Sequence, residues 1–94
     1  MKPLTIFQKS ALAQVAHPKH LESLVHDEHP PVRWRVARYG TDQHRDQLVH
    51  DKDSNVRWRV AKHGNENHAR ALLKDKNDLV SQAAKNRLKD LKRK

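Results

Sequence analysis

The stretches VRWRVARYG, residues 32–40, and VRWRVAKHG, residues 56–64, are nearly identical and lie 24 residues apart. They match at seven of nine positions, including a tryptophan between two arginines. The same offset relates HLESLVHD at 20–27, HRDQLVHD at 44–51 and HARALLKD at 68–75. A fixed offset of this size indicates an array of structural repeats.

Each repeat unit is predicted to contain two short helices. In the first helix, Val32, Val36, Ala37 and Gly40 follow the spacing of one buried helical stripe. The second helix is predicted to begin at a polar cap and to bury a pair of apolar residues: Leu24 and Val25, Leu48 and Val49, Leu72 and Leu73. A helix of roughly eight residues is marginal alone, so we expect it to be α-helical or partly 3₁₀ and to depend on stacking.

The predicted helix ends carry residues that suit them. One column of the repeat holds side chains that accept backbone N–H bonds, namely Thr5, Asp53 and Asn77, with His29 as the weak member, and the second helices begin at Thr41 and Asn65. Pro30 suits a first helical turn. Gly40 and Gly64 are predicted to end their helices in the left-handed conformation.

Weaker copies of the unit lie at both ends of the chain. Leu12 and Ala13 align with Val36 and Ala37, and Val80 and Ala84 align with Val56 and Val60. The chain is therefore predicted to form one domain, residues 1–94, with units at about 5–28, 29–52, 53–76 and 77–94. The last unit continues into a basic helical cap.

These features together resemble the leucine-rich repeat variant family, a relative of the HEAT repeats. The resemblance rests on the 24-residue period, the VRxxVA helix, the leucine-rich short helix and the aspartate before the next VR. It implies an all-α fold, a short right-handed α-solenoid of about three to four two-helix repeats whose second helices are 3₁₀. Some members carry a cysteine-ligated iron–sulfur cluster, which this cysteine-free chain cannot hold.

The related HEAT repeats commonly place an aspartate six residues before an arginine. Here Asp27 precedes Arg33 and Asp51 precedes Arg57 at that spacing, whereas Asp75 is followed by Ser81. A helical wheel turns both arginines towards the buried side, where a guanidinium needs acceptors. We expect those two aspartates or turn carbonyls to satisfy them and to hold adjacent helices in register.

The composition bounds the kind of partner. Twenty Lys and Arg against eleven Asp and Glu give a formal charge of +9, which favours an acidic protein, nucleic acid or an anionic surface. No segment approaches the ~20 apolar residues of a membrane span, and no signal peptide is recognisable. We therefore expect a cytoplasmic protein that does not enter membranes, a monomer by default.

Neither catalysis nor metal binding is predicted. The sequence has no phosphate-binding glycine loop, paired-carboxylate pattern or nucleophile elbow, so we expect a non-enzymatic protein without a cofactor. His20, His44 and His68 share one repeat column. Backbones one unit apart are about 10 Å apart, too far for side chains to converge at ~2 Å on one zinc ion, so these are expected to be first-turn or surface histidines.

The candidate binding residues lie on the VRWRVA helices: Trp34, Arg35, Arg38, Trp58, Arg59 and Lys62. In one interpretation each tryptophan packs against an arginine of the next unit in a cation–π contact. In the other the residues form an open basic aromatic strip, which would bind an acidic protein segment.

Nucleic acid is the alternative ligand of that strip. The tail KNRLKDLKRK, residues 85–94, holds six basic residues and one acidic residue and is predicted to extend the last helix. It is expected either to cap the solenoid or to provide phosphate contacts from Lys89, Lys92, Arg93 and Lys94.

Overall fold

The computed structural model describes Thr5, Ile6, Gln8 and residues 21–93. These residues form helices and no strand, which confirms the all-α prediction for the described part of the chain. The helices are α1 Pro30–Tyr39, α2 Asp42–Leu48, α3 Ser54–His63, α4 Glu66–Leu72 and α5 Asp78–Lys92. The predictions for Leu12, Ala13, His20 and Lys94 fall outside the described residues. Within the described part, no helix has the length and apolar character needed to cross a membrane.

The first helices of successive units form the body of the molecule. Helix α1 packs against α3 and α3 packs against α5, while α2 and α4 pack beside them. Most buried apolar residues belong to the predicted columns, Leu21 and Ala69 being additional, and each is at most 5% exposed: Leu21, Leu24, Val25, Val32, Val36, Ala37, Leu48, Val56, Val60, Ala61, Ala69, Leu72, Val80 and Ala84. Each fully buried Val or Leu contributes about 1.5 to 3 kcal/mol relative to exposure.

The short second helices are α-helical in the structure. Helices α2 and α4 each span seven residues, one fewer than the roughly eight predicted. Only their ends tighten, because the Asp51 N–H donates to the Leu48 carbonyl at 3.0 Å and the Asp75 N–H to the Leu72 carbonyl at 3.1 Å. These are i to i−3 bonds, so 3₁₀ geometry is confined to the exit from each helix. Val49 and Leu73, predicted as buried partners, are half-buried against the core.

The predicted N-caps of the longer helices are confirmed where the structure describes them. Asp53 accepts the backbone N–H bonds of Asn55 and Val56. Asn77 accepts those of Leu79 and Val80 at the start of α5. Thr5 exchanges bonds with Gln8, whose side chain accepts the Thr5 N–H at 2.8 Å. His29 makes no cap bond to α1, which begins with Pro30 as predicted.

Two histidines cap the second helices. The Nδ1 atom of His44 accepts the N–H of the N-cap Thr41, and Nδ1 of His68 accepts the N–H of Asn65, each at 3.0 Å. The first-turn prediction is confirmed, but both side chains are buried, at 1% and 3% exposure, and the surface alternative is wrong for them. An imidazole can replace the usual Glu or Gln of a capping box because its unprotonated nitrogen is an acceptor.

The left-handed conformation predicted for the glycines is wrong. Gly40 and Gly64 have φ of −81° and −77° and an extended backbone. Glycine is needed for space instead: a Cβ on Gly64 would lie 2.6 Å from both the Val60 carbonyl oxygen and the His68 Cβ. The N-cap of the next helix follows immediately, so the capping histidine folds back over the glycine.

The arginine column binds a different carboxylate from the predicted one. Arg33 donates to the carboxylate of Asp51 through Nε at 2.8 Å and Nη2 at 3.1 Å, and Arg57 does the same to Asp75 at 2.8 and 3.2 Å. The aspartates predicted to bind them, Asp27 and Asp51, accept from Arg33 and Arg57 through the backbone carbonyl, each at 2.8 Å. The turn-carbonyl alternative is thus confirmed, and each guanidinium links its own unit to the aspartate 18 residues later.

Candidate interaction surface

The six predicted binding residues lie on α1 and α3, which pack side by side. We call them the Trp/Arg face: Trp34, Arg35, Arg38, Trp58, Arg59 and Lys62. Both tryptophans are half-buried and pack against the core. Arg38 and Lys62 are exposed, and Arg35 and Arg59 are half-buried. The indoles thus contribute to the core and are also partly open to solvent.

The cation–π contacts of this face lie within one helix. The guanidinium carbon of Arg59 is 5.0 Å from the centre of the Trp58 ring, and Nζ of Lys62 is 4.7 Å from it. The contact expected between the tryptophan of one unit and the arginine of the next is not formed among the described residues. The i to i+4 spacing brings Lys62 over the Trp58 ring. No described cation lies over the Trp34 ring.

The Trp/Arg face carries unneutralised positive charge. Helices α1 and α3 contain no Asp or Glu, and the four cations of the face form no ion pair with any described carboxylate. Burial, followed by the charges of Arg38 and Arg35, lowers the pKa of Arg59. These cations therefore repel one another, and an anion bound among them would relieve the repulsion.

His63, at the end of α3, lies in the positive electrostatic potential of these cations. Its pKa is lowered from 6.5 to about 4, first by burial and then by the charges of four neighbouring cations: Arg38, Arg45, Arg59 and Lys62. The imidazole is consequently neutral at pH 7.

Two arginines fix the carboxyl ends of the face helices. Arg45 of α2 donates through Nε to the Ala37 carbonyl at 2.8 Å and through Nη2 to the Arg38 carbonyl at 3.2 Å. Arg87 of α5 donates through Nε to the Gly64 carbonyl at 2.9 Å. Cations at these ends also oppose the negative pole of each helix. They hold the backbone beneath the Trp/Arg face in place.

Two small pockets open at the Trp/Arg face. The first, here the indole pocket, has a volume of about 130 Å³ and is lined by Trp34, Asn55, Trp58 and Arg59. The second, here the α3/α5 pocket, has a volume of about 90 Å³ and is lined by Lys62, Ala83, Asn86, Arg87 and Asp90. Lys62 belongs to the second pocket and contacts the Trp58 ring of the first, so the two pockets adjoin.

The sequence interpretation missed the polar residues of these pockets. Asn55 lies just before the repeated VRWRVA string, so the comparison of repeats does not single it out. Ala83, Arg87 and Asp90 lie at the i, i+4, i+7 spacing of one helix face, and this spacing is the sequence signal that could have identified them.

A third cavity, larger than the two pockets of the Trp/Arg face, is less suited to ligand binding. It has a volume of about 320 Å³ and lies at the turns around Arg33 and Asp51. The Arg33 guanidinium already donates hydrogen bonds to the Asp51 carboxylate and to the Asp27 carbonyl. Within residues 21–93 and the three described near the N-terminus, no group of three or more His, Cys, Asp or Glu is placed to hold a metal ion.

The basic tail continues α5 to Lys92, as predicted. Lys89, Lys92 and Arg93 are exposed and make no ion pair with the described carboxylates. Leu88, on the same helix, packs against the core. The end of α5 is therefore both a cover for the last unit and an exposed cationic segment.

No family model, curated protein or solved structure matches this chain. The resemblance to leucine-rich repeat variants consequently rests on the sequence pattern alone, and function has to be argued from the surface itself.

Proposed function

We propose that the chain is a non-enzymatic binding module of the leucine-rich repeat variant type, a short right-handed α-solenoid whose Trp/Arg face binds an acidic segment of a partner protein. The stacking of α1 on α3 and of α3 on α5 supports the solenoid. The observation that carries the binding proposal is a set of four cations, beside two half-buried indoles, that have no carboxylate partner among the described residues.

This arrangement suits a peptide with carboxylates and apolar side chains. Tryptophan and arginine are the residues most enriched among those that dominate protein interfaces. Carboxylates would bind Arg38, Arg59 and Lys62, and an apolar side chain would lie against the indoles. Binding of this kind combines electrostatic attraction with burial of apolar surface.

Nucleic acid is the second candidate, favoured by the exposed cations at the end of α5. Base stacking on Trp58 is less favourable, because Arg59 and Lys62 already lie over its ring. A base could stack there only after these cations moved aside.

The test is a titration with a glutamate octapeptide, a duplex DNA and a single-stranded DNA, each at two salt concentrations. We expect the peptide to bind, and the double variant Arg59→Gln/Lys62→Gln to weaken its binding at least tenfold. The control Lys74→Gln/Lys76→Gln removes the same charge from the exposed turn before α5 and should change affinity less than about threefold.

Equal losses in both variants would mean that only net charge attracts the peptide, and would contradict a specific face. Binding of DNA but not of the peptide, with a steep loss at higher salt, would replace this proposal by the second candidate.

A further inference from the structure

The adjoining pockets suggest what the bound segment must contain, an inference that rests on the proposed function. We propose that the partner segment is recognised in two parts: one apolar side chain enters the indole pocket, and a neighbouring carboxylate, in preference to a phosphate, enters the α3/α5 pocket.

The indole pocket suits an apolar side chain. Two of its four residues are tryptophans packed against the core, so its walls are apolar and firmly held. Its other two residues, Asn55 and Arg59, are polar. The side-chain amide of Asn55 has no hydrogen-bond partner among the described residues and is free for the backbone of a bound segment. Apolar walls with a few polar groups are typical of a site that holds one anchor residue.

The α3/α5 pocket presents free donors. Asn86 uses its side-chain oxygen to accept from Gln82 at 3.1 Å, which leaves its NH₂ group available. Arg87 uses Nε for the Gly64 carbonyl, and its two terminal nitrogens make no hydrogen bond within the described chain. Lys62 supplies a third donor, which forms no ion pair with the carboxylates that the structure describes.

The charge balance of the α3/α5 pocket favours a carboxylate. Lys62 and Arg87 contribute two positive charges and Asp90 one negative charge, a net of one. A carboxylate carries one negative charge and neutralises this balance. A phosphoryl group carries about 1.5 to 2 negative charges at pH 7, so it would exceed the balance and be repelled by Asp90. Asp90 is thus assigned as a specificity-determining residue.

The two parts are close enough for one short segment. Lys62 contacts the ring of Trp58 and lines the other pocket, so a single side chain separates the two sites. An apolar residue and an acidic residue near each other in an extended peptide would reach both. A segment with only acidic residues would occupy the α3/α5 pocket and leave the indole pocket empty.

Fluorescence anisotropy with three labelled octapeptides tests this inference. The first has seven glutamates and one central leucine, the second has alanine in place of leucine, and the third has phosphoserines in place of the glutamates that flank the leucine. We expect the leucine peptide to bind at least tenfold more tightly than either of the others.

Variants of α5 test the second pocket. Arg87→Gln should weaken the leucine peptide at least tenfold, whereas Lys85→Gln, which removes the same charge from the same helix outside the pocket, should do so less than threefold. Because Arg87 also binds the Gly64 carbonyl, Asn86→Ala is a second variant that leaves that bond in place. It should weaken the leucine peptide about threefold or more. Asp90→Asn should improve the phosphoserine peptide more than the leucine peptide.

The outcomes distinguish failure of the proposed function from failure of the two-part recognition alone. If none of the peptides binds, the proposed function itself fails. If all three bind equally, and Arg87→Gln and Asn86→Ala behave like Lys85→Gln, an acidic-segment module remains and the two-part recognition is overturned. Tighter binding of the phosphoserine peptide to the unaltered protein would overturn the preference for a carboxylate.

Discussion

The buried guanidinium of Arg57 connects two units through one side chain. It donates twice to the Asp75 carboxylate and once to the Asp51 carbonyl, and the side chains of Arg57 and Asp75 are 9% and 8% exposed. Asp75 is in turn hydrogen-bonded by the Asn77 N–H at 2.9 Å. A buried ion pair of this kind is costly to break, because one charge would be left without a partner.

Asp75→Asn should therefore lower the free energy of unfolding by about 3 kcal/mol. Asp78→Asn is the matched control, since Asp78 is exposed in the first turn of α5 and interacts mainly with the helix dipole, so its loss should be under about 1 kcal/mol. Urea denaturation at pH 7 measures both variants. Equal values for the two would contradict a structural role for the Arg57–Asp75 pair.

The contribution of the same pair to folding stability is expected to decrease at acid pH. Burial alone would raise the pKa of Asp75, but the hydrogen bonds from Arg57 and the Asn77 N–H, with the charge of Arg57, hold it below its ordinary value of 3.8. The stability that this carboxylate contributes is present above the unfolded pKa and is lost as the pH falls below it.

The sequence predicted that the arginines are buried but not which carboxylate they bind. The wheel depends only on position within one helix, whereas the true partner lies 18 residues later and is brought near by packing between units. The family spacing suggested the aspartate six residues earlier, which offers its carbonyl instead. Residue 81 is a serine where the earlier units have an arginine, but the Asp75 carboxylate six residues before it still binds Arg57. An aspartate without an arginine partner in its own unit can thus bind the arginine of the preceding unit.

At the scale of the helix, α3 combines a buried stripe with a cationic surface. Its stripe was predictable because apolar spacing in a helix is periodic, and its N-cap because Asp53 is a standard acceptor. The lack of space that requires glycine at residue 64 was not predictable, since it depends on His68 folding back from the next helix. Nor was the depressed pKa of His63, which arises first from burial and then from the cations of two other helices as well as its own.

The unfolding stability should depend on pH through His63. Its pKa is about 4 in the folded state and 6.5 unfolded, so the unfolded chain binds more protons between these values. Stability from the neutral imidazole is complete above pH 6.5 and is lost as the pH falls towards 4. Urea denaturation at pH 7, 5.5 and 4.5 should show this loss in the unaltered protein and a smaller loss in His63→Gln. His50→Gln controls for removing an exposed histidine and should keep the full loss; identical profiles for both variants would refute the assignment.

Over the described part of the molecule, the two helices that carry the Trp/Arg face differ in acidic residues from the short helices beside them. The first helices α1 and α3 contain no acidic residue, while α2 and α4 hold Asp42, Asp46 and Glu66. Those carboxylates are used internally: Asp42 binds Arg45, Asp46 lies 2.6 Å from Nε2 of His68, and Glu66 binds Arg70. The carboxylates of α2 and α4 are thus used within the chain, and the cations of the Trp/Arg face have no ion-pair partner among the described residues.

An NMR titration with the leucine-containing glutamate octapeptide tests the central claim, that the Trp/Arg face binds acidic segments. The indole N–H signals of Trp34 and Trp58, together with the backbone signals of Arg59, Lys62 and Arg87, are expected to shift in a saturable way while those of α2 and α4 stay in place. Shifts confined to Lys89, Lys92 and Arg93 with unmoved indoles, or no shift at all, would contradict it.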